Sequence, residues 1–374
     1  MNRTVSLRRC AERYSALCSA PFWAGGGHRQ TLLAYALPAP GELLEPGSDG
    51  STVRREVEVE GGDRLVLMDA APIASGPFDG VAVHLMHGLT GCSGSNYIRM
   101  VAAVLRREGA RVIGFNHRGQ GAGRGLAKAL YHSGSYPDLW AAVGAGRERY
   151  PELLHACVGF SLSANTALLG VTDKAEGLAD RVLPDAVLAV NPPVDLRACA
   201  MAIETGMNRL YDRNFVRGMR DALAHRQSKG WIPASIEIPK GASVRGVDEV
   251  MTAPLAGYGS ADEYYADCSS GPLLGTLRRP AVILSSGDDP FIRAADIERA
   301  AAGTSAFVHI ERYGGHLGYL TRASAAPQAL RKYSKELPGI ERRWLPGAVA
   351  HYLAQLLPLK SGGFSGIVEA AEPR

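Results

Sequence analysis

Three short stretches carry residue types that together could cleave an acyl bond. Gly159-Phe160-Ser161-Leu162-Ser163 follows a strand-like run and opens a helix-like one. A sharp strand–turn–helix there would push the serine hydroxyl out of the end of a sheet. Only small neighbours let the two backbones approach that closely. Asp288-Asp289-Pro290-Phe291 comes after a strand-like run ending at Leu284, and Gly314-Gly315-His316-Leu317-Gly318 after one near Ile310. In this order they would supply a nucleophile, an acid and a base. His316 could take the proton of Ser161, and a carboxylate would fix the imidazole tautomer and stabilise its charged form. Asp289 best matches the position just before the Pro-hydrophobic pair. Asp288 competes, with a turn or cap as its other role. A Gly-x-Ser match alone is weak, since a fortuitous tight turn explains it. Three residue types in this order, each where a loop leaves a strand's C-terminal end, outweigh that reading.

Acyl transfer also needs two backbone N–H donors for the developing oxyanion. Leu162, just after Ser161, offers one. The second is expected on the loop after the third strand, His87-Gly88-Leu89-Thr90-Gly91, where Leu89 is the candidate. His87 reads as a structural histidine that pins this loop, in preference to a proton carrier. Glycines 119, 121, 123 and 125 superficially resemble a phosphate loop. That run lacks a lysine-serine ending and starts too late after its strand. Arg118 beside it reads as a structural ion-pair partner. No metal or cofactor site stands out.

The elements that must position these residues are legible as hydrophobic patterns. Thr52–Glu60 ends in apolar/polar alternation, Gly61 and Gly62 make a turn, and RLVLMDA returns as the second strand of a hairpin. Val81–Met86, Arg111–Phe115, Ala156–Phe160, Ala186–Val190, Ala281–Leu284 and Ala306–Ile310 are mostly apolar runs, as expected of strands covered on both faces. Helical spacing appears at Asn96–Arg107, Tyr136–Arg149, Ala164–Gly170, Ala294–Ala301 and Trp344–Leu357. Strands alternating with helices predict an α/β fold with a mostly parallel eight-stranded sheet and helices on both faces. Residues 192–279 break the rhythm, with a helical patch at Arg209–His225, and read as a lid inserted between the sixth and seventh strands. The predicted organisation is an N-terminal extension over 1–51 packing on the core, a core over 52–191 and 280–360, the lid, and a flexible tail over 361–374. Tyr211, Tyr258, Tyr264 and Tyr265 could line an apolar substrate slot in the lid; the alternative is that they form its core.

Composition narrows the setting. The 374 residues are 46% hydrophobic and 21% charged, which excludes wholesale disorder. Net charge is +4, with basic residues interspersed among acids, so nucleic acid is not an expected partner. The six cysteines form no CxxC pair and read as free thiols of a reducing compartment. No apolar run reaches signal-peptide or membrane-span length. A cytoplasmic protein with no stable membrane insertion is expected; its oligomeric state is not legible.

The motifs also carry a family resemblance. PFW…GGGHRQT (Pro21–Thr31), HGLTGCSGSNYI (His87–Ile98), FNHRGQGAG (Phe115–Gly123), YHSG (Tyr131–Gly134), GFSLSAN (Gly159–Asn165), VDEVMTAPLAGYGSADEYY (Val247–Tyr265), DDPF (Asp288–Phe291) and YGGHLGYL (Tyr313–Leu320) resemble α/β-hydrolase family 4, the group of bacterial YheT-type hydrolases and eukaryotic abhydrolase relatives. Ser163 and Ala164 stand where that family usually has two glycines, and Arg118-Gly119-Gln120 where it usually has Arg-Gly-Cys. The resemblance implies an α/β-hydrolase fold and serine esterase or lipase-like activity on small acyl esters, short- to medium-chain or lipid. The same triad could serve a thioesterase, amidase or acyltransferase, and a non-catalytic binding protein of this fold is the remaining alternative.

Overall fold

The computed structural model describes residues 7–359, apart from 9–10, 13, 16, 43, 47–49, 178–181 and 326–327. The tail expected over 361–374 lies outside them. The described residues form eight strands: β1 (Thr52–Val59), β2 (Asp63–Ala70), β3 (Val81–Met86), β4 (Arg111–Asn116), β5 (Leu154–Phe160), β6 (Ala186–Val190), β7 (Ala281–Ser286) and β8 (Phe307–Glu311). They form one open sheet in the order β1-β2-β4-β3-β5-β6-β7-β8. β2 is antiparallel to both β1 and β4, and every other pair is parallel. The β1–β2 hairpin turns at Gly61 and Gly62, whose φ values of +80° and +72° are open to glycine at no steric cost.

The principal helices are α1 (Gly27–Ala36), α2 (Asn96–Arg107), α3 (Tyr136–Arg149), α4 (Leu162–Leu169), α5 (Leu196–Ile203), α6 (Arg209–Ser228), α7 (Ala261–Cys268), α8 (Ala294–Ala301) and α9 (Trp344–Leu356). Successive residues of a strand point to opposite faces. In β5, Ala156, Val158 and Phe160 join one apolar cluster with α2 and α9. Cys157 points the other way, into a cluster with α3, α4 and α8. Burial on both faces is why these strands read as continuous apolar runs.

Between β6 and β7 the chain builds α5, α6, a π-helical turn at Asp248–Thr252, and α7. This segment has apolar clusters of its own, one around Tyr264 and Tyr265 and one around Val216, Met219 and Leu223 on a single stripe of α6. Arg118 pairs with Asp138 of α3 at 2.7 Å and with Asp63 of β2 at 3.0 Å, which ties the hairpin to the core. Among the described residues no helix is long and apolar enough to cross a membrane. Cys18, Cys92, Cys157, Cys199 and Cys268 are free thiols.

Candidate active site

Ser161 sits between the end of β5 and the start of α4 with φ +55° and ψ −124°. A non-glycine residue held at positive φ carries backbone strain of roughly 1–3 kcal/mol and persists only where its surroundings fix it. Two things fix it here. The Ser161 N–H donates to Val190 O of β6 at 2.9 Å. Gly159 permits the crossing, because a Cβ there would stand 2.3 Å from the Ser163 carbonyl oxygen. Helix α4 therefore starts immediately after Ser161, two residues earlier than hydrophobic spacing predicts, since spacing does not register a single residue of reversed φ.

Ser163 occupies the position where the resembled family has glycine, and it is fully buried. Its hydroxyl donates to His87 O and accepts from His117 Nε2 at 2.6 Å. The added oxygen therefore has both its partners inside the fold, as a buried hydroxyl requires. Burial pushes the His117 ring well below its ordinary pKa and holds it neutral. His87 is likewise held down, to about 4, by burial. His87 Nδ1–H donates to Gly88 O at 2.8 Å and its Nε2 accepts the His117 N–H at 3.3 Å, so both ring nitrogens are spent on the loop.

His316 lies against Ser161. The Ser161 hydroxyl is 2.8 Å from His316 Nε2, and His316 Nδ1–H donates to Asp289 Oδ2 at 2.8 Å. The two aspartates divide their work. Asp289 also accepts from Asn191 Nδ2 at 2.7 Å and from the Phe291 and Ile292 N–H groups at 3.1 and 3.0 Å. Asp288 Oδ1 instead accepts the Gly314 and Gly315 N–H groups, both at 2.8 Å, and closes the turn before His316. The Phe291 ring stands 4.2 Å from the imidazole and shields it from solvent.

Gly88 and Leu89 pass directly over Ser161; a Cβ on Gly88 would lie 3.0 Å from the Ser161 Cβ. Among the described residues the Leu89 and Leu162 N–H groups have no hydrogen-bond acceptor. A cleft of about 770 Å³ opens from Ser161 past His316, and Tyr211 is in its wall. A smaller cavity of about 90 Å³ lies on the other side, lined in part by Tyr264 and Tyr265. Tyr258 lines neither; its hydroxyl donates to Asp267 at 2.8 Å and its ring packs on Tyr264. Asp248, in the small cavity, accepts the Tyr265 hydroxyl at 2.7 Å, and burial raises its carboxyl to about pKa 6. Among the described residues no group of three or more His, Cys, Asp or Glu is placed to hold a metal ion.

Several residues at this site escape a reading of the sequence. Asn191, at φ +49°, bridges Asp289 and Gly315 O, and accepts from the Tyr319 hydroxyl at 2.7 Å. Thr31 Oγ1 accepts the His316 N–H at 2.8 Å and donates to Gly27 O at 2.8 Å. Gln30, fully buried, donates to Ala24 O and Leu320 O and accepts the Leu320 N–H at 2.7 Å. The only available signal is the GGGHRQT run itself: Gly27 abuts Asp288 O so closely that a Cβ would stand 1.7 Å away.

The family model for the alpha/beta hydrolase fold matches residues 81–323, well over half of the chain. The chain belongs to the α/β-hydrolase family. Relatives of this hydrolase include the Escherichia coli (strain K12) protein YheT, 26% identical over 74% of the chain and 77% of YheT. A monoacylglycerol lipase of Saccharomyces cerevisiae is 29% identical over 63% of the chain, and human phospholipase ABHD3 is 26% identical over 63%. Those matches span only 54% of the yeast lipase and 58% of the human phospholipase. Among solved structures, the Pyrococcus furiosus esterase Pf2001 shares the fold at 14% identity and a TM-score of 0.50, over 86% of this hydrolase and 98% of that chain.

Proposed function

We propose that this hydrolase cleaves carboxylic esters through Ser161, His316 and Asp289. The observation that carries the reading is the hydrogen-bonded chain from Ser161 Oγ through His316 to Asp289, both links 2.8 Å, with the serine on a strained turn. His316 takes the Ser161 proton as Oγ attacks the carbonyl carbon. The Leu89 and Leu162 N–H groups receive the oxyanion. His316 then gives its proton to the departing alcohol as the carbon–oxygen bond breaks. Water opens the acyl-enzyme: its proton passes to His316 and on to Ser161 Oγ, and the acid leaves. Asp289 keeps the proton on Nδ1 and offsets the imidazolium charge. The helical segment over 192–279 acts as a cap over this site, with Tyr211, Tyr264 and Tyr265 facing the substrate. Esterase and lipase names among the relatives support an ester over an amide.

Ser161→Ala tests this. Hydrolysis of p-nitrophenyl butyrate should fall by at least ~10⁴-fold with the circular-dichroism spectrum unchanged. A fluorophosphonate should label the native protein at Ser161 and not the variant. Undiminished turnover in the variant would overturn the assignment.

A further inference from the structure

The two cavities at Ser161 are unequal, and they do not share the base. The cleft of about 770 Å³ has His316 and Leu317 in its wall, and runs out between α1 and α6 past Leu32, Tyr35 and Leu210. The smaller pocket, of about 90 Å³, is lined by Leu162, Leu196, Ile203, Met219 and Val244, and does not include His316. Leu89, Ser161, Phe215 and Phe291 belong to both and form the partition between them.

Resting on the ester-hydrolase reading above, we infer that the small pocket takes the acyl chain and the large cleft takes the alcohol, so the substrates are esters of a short acid with a bulky apolar alcohol. Proton delivery sets the direction. The alcohol oxygen must reach His316 Nε2 to be protonated as it leaves, and His316 lines the cleft and not the pocket. With the leaving oxygen there and the carbonyl oxygen at the Leu89 and Leu162 N–H groups, the remaining substituent of the carbonyl carbon points toward the pocket on the Leu162 side.

Size then sets the chain length. At about 90 Å³ the pocket falls short of the ~150 Å³ cavity that accepts a benzene ring, which suits a short acyl chain. Its far wall includes Asp248 and Thr252. A longer alkyl chain would run against this buried carboxyl, already bonded to Tyr265, and gain no apolar contact there, a second barrier to length. The cleft is in the range that encloses a whole drug-sized ligand. Its apolar rim is open to solvent, with Tyr35 79%, Leu210 52% and Leu32 41% exposed.

Two substrate series test the assignment. In p-nitrophenyl esters from acetate to decanoate, kcat/KM should peak at or below butyrate and fall at least tenfold by decanoate. With the acyl group fixed as butyrate, kcat/KM should rise from methyl to naphthyl ester. Met219→Ala and, independently, Ile203→Ala should move the acyl optimum two to three carbons longer and leave the order of alcohols unchanged. Tyr35→Ala should reduce the preference for the naphthyl ester and leave the acyl optimum in place. A decanoate rate equal to that of butyrate, or a pocket variant that reorders the alcohols, would overturn this assignment while leaving the ester hydrolase standing. Loss of every member of both series, with no fluorophosphonate labelling, would remove the hydrolase reading and this one with it.

Discussion

The turn that carries Ser161 is built from neighbours in the chain, whereas the loop that carries His316 is assembled from opposite ends of it. Around the serine, Gly159 and Ser163 shape the crossing from within four residues, and β6 contributes one backbone hydrogen bond. Around the histidine, Thr31 reaches across 285 residues to the His316 N–H, and Gln30 across 290 to Leu320. The serine's geometry is thus shaped within a short local sequence and anchored only by segments up to β6. The histidine's geometry is a property of the completed fold. Substitutions near the serine should act through stability or not at all, and substitutions in α1 should act on the reaction while the fold survives.

Four substitutions test that contrast. The largest effect is expected from Gly159→Ala. Its Cβ would stand 2.3 Å from a backbone carbonyl, so the turn must open. Destabilisation of roughly 1–3 kcal/mol or more, seen in urea denaturation, should accompany loss of turnover. Next is Thr31→Val, which leaves the His316 N–H without its acceptor. kcat should fall ~10–100-fold from misplacement of the base, with KM little changed and Thr31→Ser restoring the rate. If Thr31→Val instead unfolds the protein and leaves the residual rate per folded molecule intact, the contrast is wrong.

Ser163→Gly should alter kcat by no more than about threefold, yet lower stability by roughly 1–3 kcal/mol, because it orphans the buried His117 Nε2–H. The smallest effect on the reaction is expected from Asp248→Asn. The Asp248 carboxyl is raised to about pKa 6 by burial, so the fold favours its protonated form. That contribution is fully present below the unfolded pKa near 4 and is lost as pH climbs through about 6. Thermal melts of the native protein should therefore weaken between pH 4 and 6 where those of the variant do not. The two should match near pH 4, and the variant should melt higher at pH 8.

The sequence made much of this fold legible for a physical reason. Strands buried on both faces leave unbroken apolar runs, and helices such as Asn96–Arg107 keep their apolar stripe, so each announces itself within its own length. Ser161, Asp289 and His316 were legible because each follows such a run. Asn191, Thr31 and Gln30 were not, because the partners that tie them to the site are 98 to 290 residues away and nothing local distinguishes them from ordinary polar residues. Tyr258 illustrates the opposite limit. Tyrosines clustered in sequence point to a shared slot, but Tyr258 lies in the loop before α7, where its hydroxyl bonds Asp267 instead.

The reach of α1 to the His316 loop bears on how the protein comes to be active. During synthesis the serine turn is complete once β6 has emerged, but α1 waits for residues 288–320 before it meets its partners. Contacts so far apart in sequence are slow to close, since the intervening chain must first be ordered. A partly made chain would hold a strained serine with no base beside it. On the mechanism proposed above, Ser161 would gain its base only once both ends of the chain have met.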